Sequence, residues 1–149
     1  MKKYFSIFLL LVLTATCYCQ EMKMSPKALP PAVLQAFRSA YPNARIKGAT
    51  KEINNGETSY EISCKDNTAR RDIHYSADGK LLEAEELITV DRLPEAVTTA
   101  ITKQYAKGKI MSIEMAVKDS KTEYEVLIKD KKKKFEVVFS PDGSVVSTK

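Results

Sequence analysis

The sequence predicts an α+β protein in which a helix followed by four antiparallel strands occurs twice in tandem, with both helices on one face of the sheet. The second half repeats the first: residues 29–85 align without a gap with residues 93–149, with 15 identities in 57 pairs. Each half begins with apolar residues at helical spacing and continues with alternating apolar and polar residues. A fixed repeat of this length is typical of one supersecondary unit used twice.

Residues 1–19 have the three-part layout of a secretory signal peptide. Lys2 and Lys3 form a basic start, residues 4–13 are mostly apolar, and small residues follow up to Cys19. The apolar run is too short to span a bilayer, which takes about 20 residues. We therefore expect export to the periplasm or the exterior, cleavage after Cys19 and no transmembrane span in the mature chain. Lipid attachment at Cys17 or Cys19 is the alternative.

The rest of the chain divides into a linker, expected over residues 20–28, and two repeats, expected over 29–88 and 89–149. A single unit of about 60 residues buries only about 60% of its unfolded surface, so we expect the two units to pack together. Cys64 is the one cysteine left after cleavage, and the repeat places Ile128 at the matching position. We therefore expect Cys64 to be a buried apolar side chain rather than a reactive thiol.

Two helices are predicted, at about residues 30–41 and 94–106. Pro30 and Pro31 stand at the start of the first, where a missing backbone N–H costs nothing. Pro42 ends this helix, because proline disfavours a helical conformation in the residue before it.

Eight strands are predicted from the alternation and from the turn residues between them. They cover residues 45–53, 57–65, 69–76, 80–88, 109–118, 121–130, 132–140 and 144–148. Asn54-Asn55-Gly56 is a strong hairpin signal, and Asp-Gly pairs close the last turn of each half. The pattern predicts a sheet of up to eight strands with one apolar face under the helices and one polar, solvated face.

The two halves share three patterns. They are Leu-Pro-x-Ala-Val at 29–33 and 93–97, Tyr-Glu-[Ile/Val] at 60–62 and 124–126, and Asp-Gly-x-[Leu/Val]-[Leu/Val] at 78–82 and 142–146. These patterns resemble the PepSY-like domain family of exported proteins from Bacteroidetes. The resemblance covers about residues 25–149. It implies a fold related to the β-lactamase inhibitory protein, in which a concave sheet face grips the target enzyme, and hence a comparable open surface here.

No enzymatic or cofactor site is predicted. His74 is the single histidine, which excludes histidine-based triads and metal sites with several histidines, and we expect it to be a solvated surface residue. Glu61 and Glu125 occupy matching positions on strands expected to lie far apart, and we expect them to pair with Arg70, Lys65 or Lys134. The Asp-Gly turns lack the ligand pattern of a calcium loop. The sequence therefore predicts no catalysis, no cofactor and no metal.

The charge distribution does not favour nucleic acid binding. The formal net charge of +5 becomes +3 without Lys2 and Lys3, which is too small an excess for that class of protein. The strongest charge run, Lys129–Lys134, falls at a predicted hairpin and is interpreted as a solvated loop that resists aggregation. Loose attraction to an anionic lipid, a polysaccharide or an acidic protein is the alternative.

The function that these observations favour is a non-enzymatic, exported binding module that contacts a protein or an envelope component through the open sheet face. The candidate contact residues are the outward-facing strand positions Glu61, Asp72, His74, Glu125, Leu127, Glu136 and Val138. Leu127 and Val138 are apolar where the first repeat has Ser63 and His74, so we expect them to form an exposed contact patch. The alternative, implied by the PepSY resemblance, is an inhibitor or propeptide-like regulator of an exported hydrolase.

Overall fold

The computed structural model describes residues 19–149. The predicted signal peptide, apart from Cys19, lies outside the described residues. Within residues 19–149, neither α-helix has the length and apolar character that crossing a bilayer requires.

The described chain forms a single antiparallel sheet of nine strands and two α-helices. Helix α1 is Pro31–Ala40 and helix α2 is Glu95–Gln104. The strands are β1 (Cys19–Met24), β2 (Arg45–Asn54), β3 (Glu57–Asp66), β4 (Ala69–Ser76), β5 (Leu81–Leu87), β6 (Lys109–Lys118), β7 (Lys121–Asp130), β8 (Lys133–Phe139) and β9 (Val145–Thr148). They pair in sequence order from β1 to β9. Both helices and strands β2 to β9 lie within two residues of their predicted bounds.

Prolines determine where the helices begin and where the first one ends. Pro30 and Pro94 are the N-cap residues, and both have an extended backbone conformation. Helix α1 stops at Ala40, two residues before Pro42, as expected from the conformational restriction on the residue that precedes a proline. The Tyr41 N–H still donates to the carbonyl oxygen of Phe37 at 2.8 Å, which completes the last turn.

Each helix covers its own part of the apolar sheet face. The cluster under α1 joins the helix residues Val33 and Phe37 to strand residues that include Ile62, Cys64, Ile73 and Tyr75. The cluster under α2 joins Val97 and Ile101 to Tyr124, Val126, Ile128, Val137 and Phe139. The core is therefore two adjacent layers on one side of the sheet, and the other side carries no helix among the described residues.

The predicted linker at 20–28 is wrong, because it contains most of strand β1 and a 3₁₀ turn at Pro26–Ala28. Strand β1 pairs with β2 along its whole length, and Met24 packs against the cluster under α1. The strand is short and lies at the sheet edge, where only Met22 and Met24 mark the alternation, so periodicity alone is weak evidence for it. The sheet therefore has nine strands rather than the eight predicted.

Two glycine turns hold the sheet against the helices. Gly79 and Gly143 have φ of +87° and +84°, a conformation that favours glycine. A Cβ atom at Gly79 would lie 2.7 Å from the carbonyl oxygen of Ala32, and one at Gly143 would lie 2.6 Å from that of Ala96. Each turn therefore needs glycine both for its backbone conformation and for its close approach to a helix.

Cys64 lies in the core under α1, as predicted, and only 3% of it is exposed. Burial raises the pKa of its thiol, which reduces the fraction of reactive thiolate at neutral pH. The aligned tyrosines of the two halves differ in burial: Tyr124 is 8% exposed, whereas Tyr60 is only partly buried.

We expect Cys64→Val to reduce the free energy of unfolding by less than about 1.5 kcal/mol, because the exchange nearly conserves volume in an apolar site. The thiol of the native protein should react with a water-soluble reagent only slowly, and rapidly after unfolding in denaturant. Chemical denaturation and timed thiol labelling measure the two effects. Rapid labelling of the native protein would contradict the assigned burial.

Candidate functional site: the open face of the sheet

The open face is the side of the sheet opposite the helices, and strand register defines its residues. Glu61 lies opposite His74, and Ser63 opposite Asp72, in the pairing of β3 with β4. In the pairing of β7 with β8, the opposed residues are Glu125 with Val138 and Leu127 with Glu136. Residues directly opposite each other project to the same side of a sheet. All seven predicted contact positions therefore lie on the open face.

These seven positions form two groups rather than one. Strands β5 and β6 separate β4 from β7, and neighbouring strands lie about 4.8 Å apart. Glu61 on β3 and Glu125 on β7 are thus four strand spacings apart, roughly 19 Å. This agrees with the expectation that these two carboxylates do not act as a pair.

Four further glutamates, which the sequence reasoning missed, lie on this face, and three of them connect the two groups. Asp72 of β4 lies opposite Glu85 of β5, and His74 lies opposite Glu83. Glu114 of β6 lies opposite Glu125 of β7, and Glu52 of β2 occupies the same face on the other side of β3. The alternation of Glu83 and Glu85 within β5 was a usable signal, but their neighbours depend on the pairing of β5 with β6. The middle of the open face is therefore a continuous acidic surface, bordered by basic residues at one end of the strands.

Burial within this surface makes several carboxyl groups harder to ionise. Burial raises the pKa of Glu85 to about 7; the charge of His74 opposes this, and Glu83, Glu114 and Glu125 reinforce it. The pKa values of Glu61, Glu114 and Glu125 are also raised, in each case first by burial. The carboxyl groups are thus crowded together and partly removed from water.

His74 lies among carboxylates rather than in open solvent, so the prediction of a solvated surface histidine is wrong. Its side chain is 20% exposed. Its Nδ1 atom lies 3.7 Å from Oε2 of Glu52, and its Nε2 atom lies 4.0 Å from Oε2 of Glu85. The pairing of β4 with β5 brings Glu85 next to His74. Alternation alone does not give the register of this pairing.

The predicted pairing of Glu61 and Glu125 with Arg70, Lys65 or Lys134 is also wrong. Glu61 accepts a hydrogen bond from the Ser63 hydroxyl at 3.1 Å, and Glu125 lies close to Glu136 and Lys149. The three basic residues lie nearer one end of their strands, and Arg70 is opposite Lys65 in the β3–β4 register. The ion pairs of the described open face are instead Lys118 with Glu83 at 3.4 Å, Lys149 with Glu136 at 3.2 Å, and the contacts of His74.

The apolar patch expected from Leu127 and Val138 is not exposed. Val138 is 2% exposed and Leu127 is partly buried. The side chain of Val138 is short. It lies between Ser147 on β9 and Glu125 on β7, and the Glu125 side chain is longer. Long side chains cover neighbouring apolar atoms with their methylene groups, so this position does not offer an apolar contact surface.

The lysine run lies at the hairpin between β7 and β8, where it was predicted. Strand β7 ends at Asp130 and β8 begins at Lys133. Lys131 has a φ of +54°, and the four residues Lys131–Lys134 are exposed. Their contact with an anionic partner stays a prediction.

One group of potential metal ligands lies on the open face. Within residues 19–149, the ligand atoms of Glu52, Glu61 and His74 all lie within 4.8 Å of one another. The sequence predicted no metal site and did not reveal this trio, because the three residues come from three strands and meet only through the strand register.

We expect the contribution of Glu85 to the stability of the protein to fall as the pH rises from about 4.5 to 7. The folded state binds a proton at Glu85 more tightly than the unfolded chain does, so this contribution is lost as the pH passes the folded-state pKa of about 7. Glu85→Gln should therefore raise the free energy of unfolding by about 1–3 kcal/mol at pH 8 and leave it nearly unchanged at pH 4.5. Denaturation of both proteins across this range measures the difference.

Comparison with solved structures supports the α+β architecture. A BLIP-like protein from Bacteroides fragilis NCTC 9343 is 24% identical, with a TM-score of 0.65 over 79% of this chain and 83% of that one. A DUF2874 family protein from Bacteroides uniformis ATCC 8492 is 18% identical, with a TM-score of 0.70 over 80% and 88%. A protein from Bacteroides eggerthii DSM 20697, described among "putative periplasmic proteins", is 18% identical, with a TM-score of 0.71 over 80% and 87%. At these identities the likeness establishes the fold alone.

Sequence comparison identifies the family. No curated protein matches this chain. A family profile matches it twice, over residues 15–83 and 83–147, and together the two matches cover most of the chain. This confirms the resemblance found in the sequence. The chain belongs to the family described as "Putative beta-lactamase-inhibitor-like, PepSY-like".

Proposed function

We propose that this chain is an exported, non-enzymatic binding module that contacts a protein partner through the open face of its sheet. The observation that carries the proposal is the continuous acidic surface from β2 to β8, which no helix among the described residues covers. A rigid sheet needs little reordering on binding, which lowers the entropic cost of association.

The character of the surface indicates the character of the partner. Carboxylates of β3 to β8 dominate the face, including Glu61, Asp72, Glu85, Glu114 and Glu125. A partner surface rich in lysine or arginine would be electrostatically complementary, and its approach would relieve the repulsion among these groups. We therefore propose a basic protein surface as the partner in preference to an anionic envelope polymer.

An inhibitor or propeptide-like regulator of an exported hydrolase is the second candidate. The description of the family as beta-lactamase-inhibitor-like favours it. It uses the same face, and the identity of the captured partner separates the two candidates: a hydrolase bound in a one-to-one complex favours the second.

We further propose that residues 29–88 and 89–149 are tandem copies of one unit. The two helices begin at Pro31 and Glu95, which are aligned in the sequence repeat, and the four strands after each helix likewise begin at aligned positions. The two glycine turns approach the matching helix residues Ala32 and Ala96. If the halves are copies of one unit, each residue can be compared with the aligned residue of the other half, which shows what the fold requires at that position.

The proposed contact can be tested by changing the charge of the open face without touching the core. Glu114→Lys combined with Glu125→Lys should abolish capture of the partner from envelope extract, because both residues lie at the centre of the face. The control combines Glu95→Lys with Asp91→Lys, which makes the same charge change at exposed positions on and just before α2. Affinity capture with quantitative mass spectrometry measures the outcome, and equal capture by both variants would contradict the proposed surface.

Export is proposed from the predicted signal peptide and has its own test. We expect the protein purified from its native host to begin at or near Gln20, which follows the predicted cleavage site. N-terminal sequencing and the intact mass distinguish this product from the alternatives. A retained Met1 would contradict export by cleavage, and a lipid on Cys17 or Cys19 would establish the lipoprotein alternative.

A further inference from the structure

One position on the open face brings an imidazole and two carboxylates together from three strands. Glu61 of β3 lies directly opposite His74 of β4, and Glu52 reaches the same point from β2. Their ligand atoms lie within 4.8 Å of one another, and all three residues are partly buried. A nitrogen donor with two carboxylate oxygens is a mixed donor set suited to a transition metal ion.

The sheet does not need these residues for its own stability. In the alignment of the two halves, Glu52 corresponds to Ala116 and His74 to Val138, while Glu61 corresponds to Glu125. Ala116 and Val138 are 4% and 2% exposed, so small apolar side chains pack well at equivalent places on the same face. Burying the trio in the first half therefore costs free energy through desolvation and charge repulsion. The second half avoids part of this cost.

Each donor of the trio has a polar neighbour. The Ser59 hydroxyl donates to Oε2 of Glu52 at 3.4 Å, and the Ser63 hydroxyl donates to Oε1 of Glu61 at 3.1 Å. Glu85 lies beyond His74, 4.0 Å from Nε2, while Nδ1 faces Glu52 at 3.7 Å. A carboxylate behind the non-ligating nitrogen is the usual support of a metal-binding histidine, since it fixes the tautomer and the ring orientation.

We propose that Glu52, Glu61 and His74 form a Zn²⁺ site, with His74 binding through Nδ1 and Glu85 as the residue that positions it. Three protein ligands leave one coordination position open toward the solvent side of the sheet. The imidazole disfavours Ca²⁺ and Mg²⁺, which take oxygen ligands in larger numbers. The site does not depend on the proposed partner, although its open position lies on the same face.

The single histidine makes the test direct. Untagged protein, freed of metal with a chelator, is titrated with Zn²⁺ by calorimetry while the imidazole ¹⁵N resonances of His74 are followed by NMR. We expect one Zn²⁺ to bind per chain. The Nδ1 resonance of His74 should shift more than the Nε2 resonance. Glu52→Ala and His74→Val, which introduce the residues aligned with them in the second half, should each weaken binding at least about tenfold, as should Glu85→Gln, within the range typical of a supporting residue.

The matched control is Glu125→Gln, which removes the carboxylate aligned with Glu61 from the same face and should leave the affinity for Zn²⁺ unchanged. Circular dichroism establishes that each variant is folded, and His74→Gln replaces His74→Val if the latter is not. Absence of stoichiometric binding, binding that leaves the His74 resonances unmoved, or equal loss in Glu125→Gln and Glu52→Ala would each overturn the proposal. Loss of the protein partner with Zn²⁺ binding intact would affect only the proposed function.

Discussion

The backbone ladder between β5 and β6 makes one sheet out of the two halves of the chain. It consists of five residue pairs, from Glu83 with Lys118 to Leu87 with Glu114, and each of the halves that it joins has its own helix and core cluster. A unit of about 60 residues buries so little of its apolar surface that it is only marginally stable alone. The ladder adds hydrogen bonds and side-chain contacts across the join, and it converts two small open faces into one.

The continuity of that face has an electrostatic cost. The ladder sets the carboxylates of β4 and β5 beside those of β6 and β7, and burial together with neighbouring negative charge raises the pKa of Glu85 to about 7. A surface under no demand except folding would not concentrate half-buried carboxyl groups, because each is disfavoured in its charged form. Local conflict of this kind is typical of functional surfaces, where a ligand supplies the compensating charge.

The two halves differ at several positions of the open face. The buried positions under the helices are filled by similar residues in both halves, such as Ile73 with Val137 and Ile62 with Val126. On the open face, by contrast, Glu52 is aligned with Ala116, and His74 is aligned with Val138. Because the core must be packed closely whereas an open sheet face tolerates many side chains, the difference locates the specialised part of the surface in the first half.

The local elements could be predicted from the amino-acid sequence, since these depend on short-range rules. Helical spacing, the prolines before each helix and the glycine turns located α1, α2 and strands β2 to β9, and alternation placed Cys64 in the core. Which side chains meet across the sheet depends on strand register, so the contacts of His74 with Glu52 and Glu85 and the burial of Val138 between β7 and β9 did not follow from the sequence. Alternation assigns a residue to a face but says nothing about its neighbours across the sheet, because register and the β5–β6 join are set by long-range pairing. Strand β1 was not predicted for the same reason, because it is recognisable as a strand only through its pairing with β2.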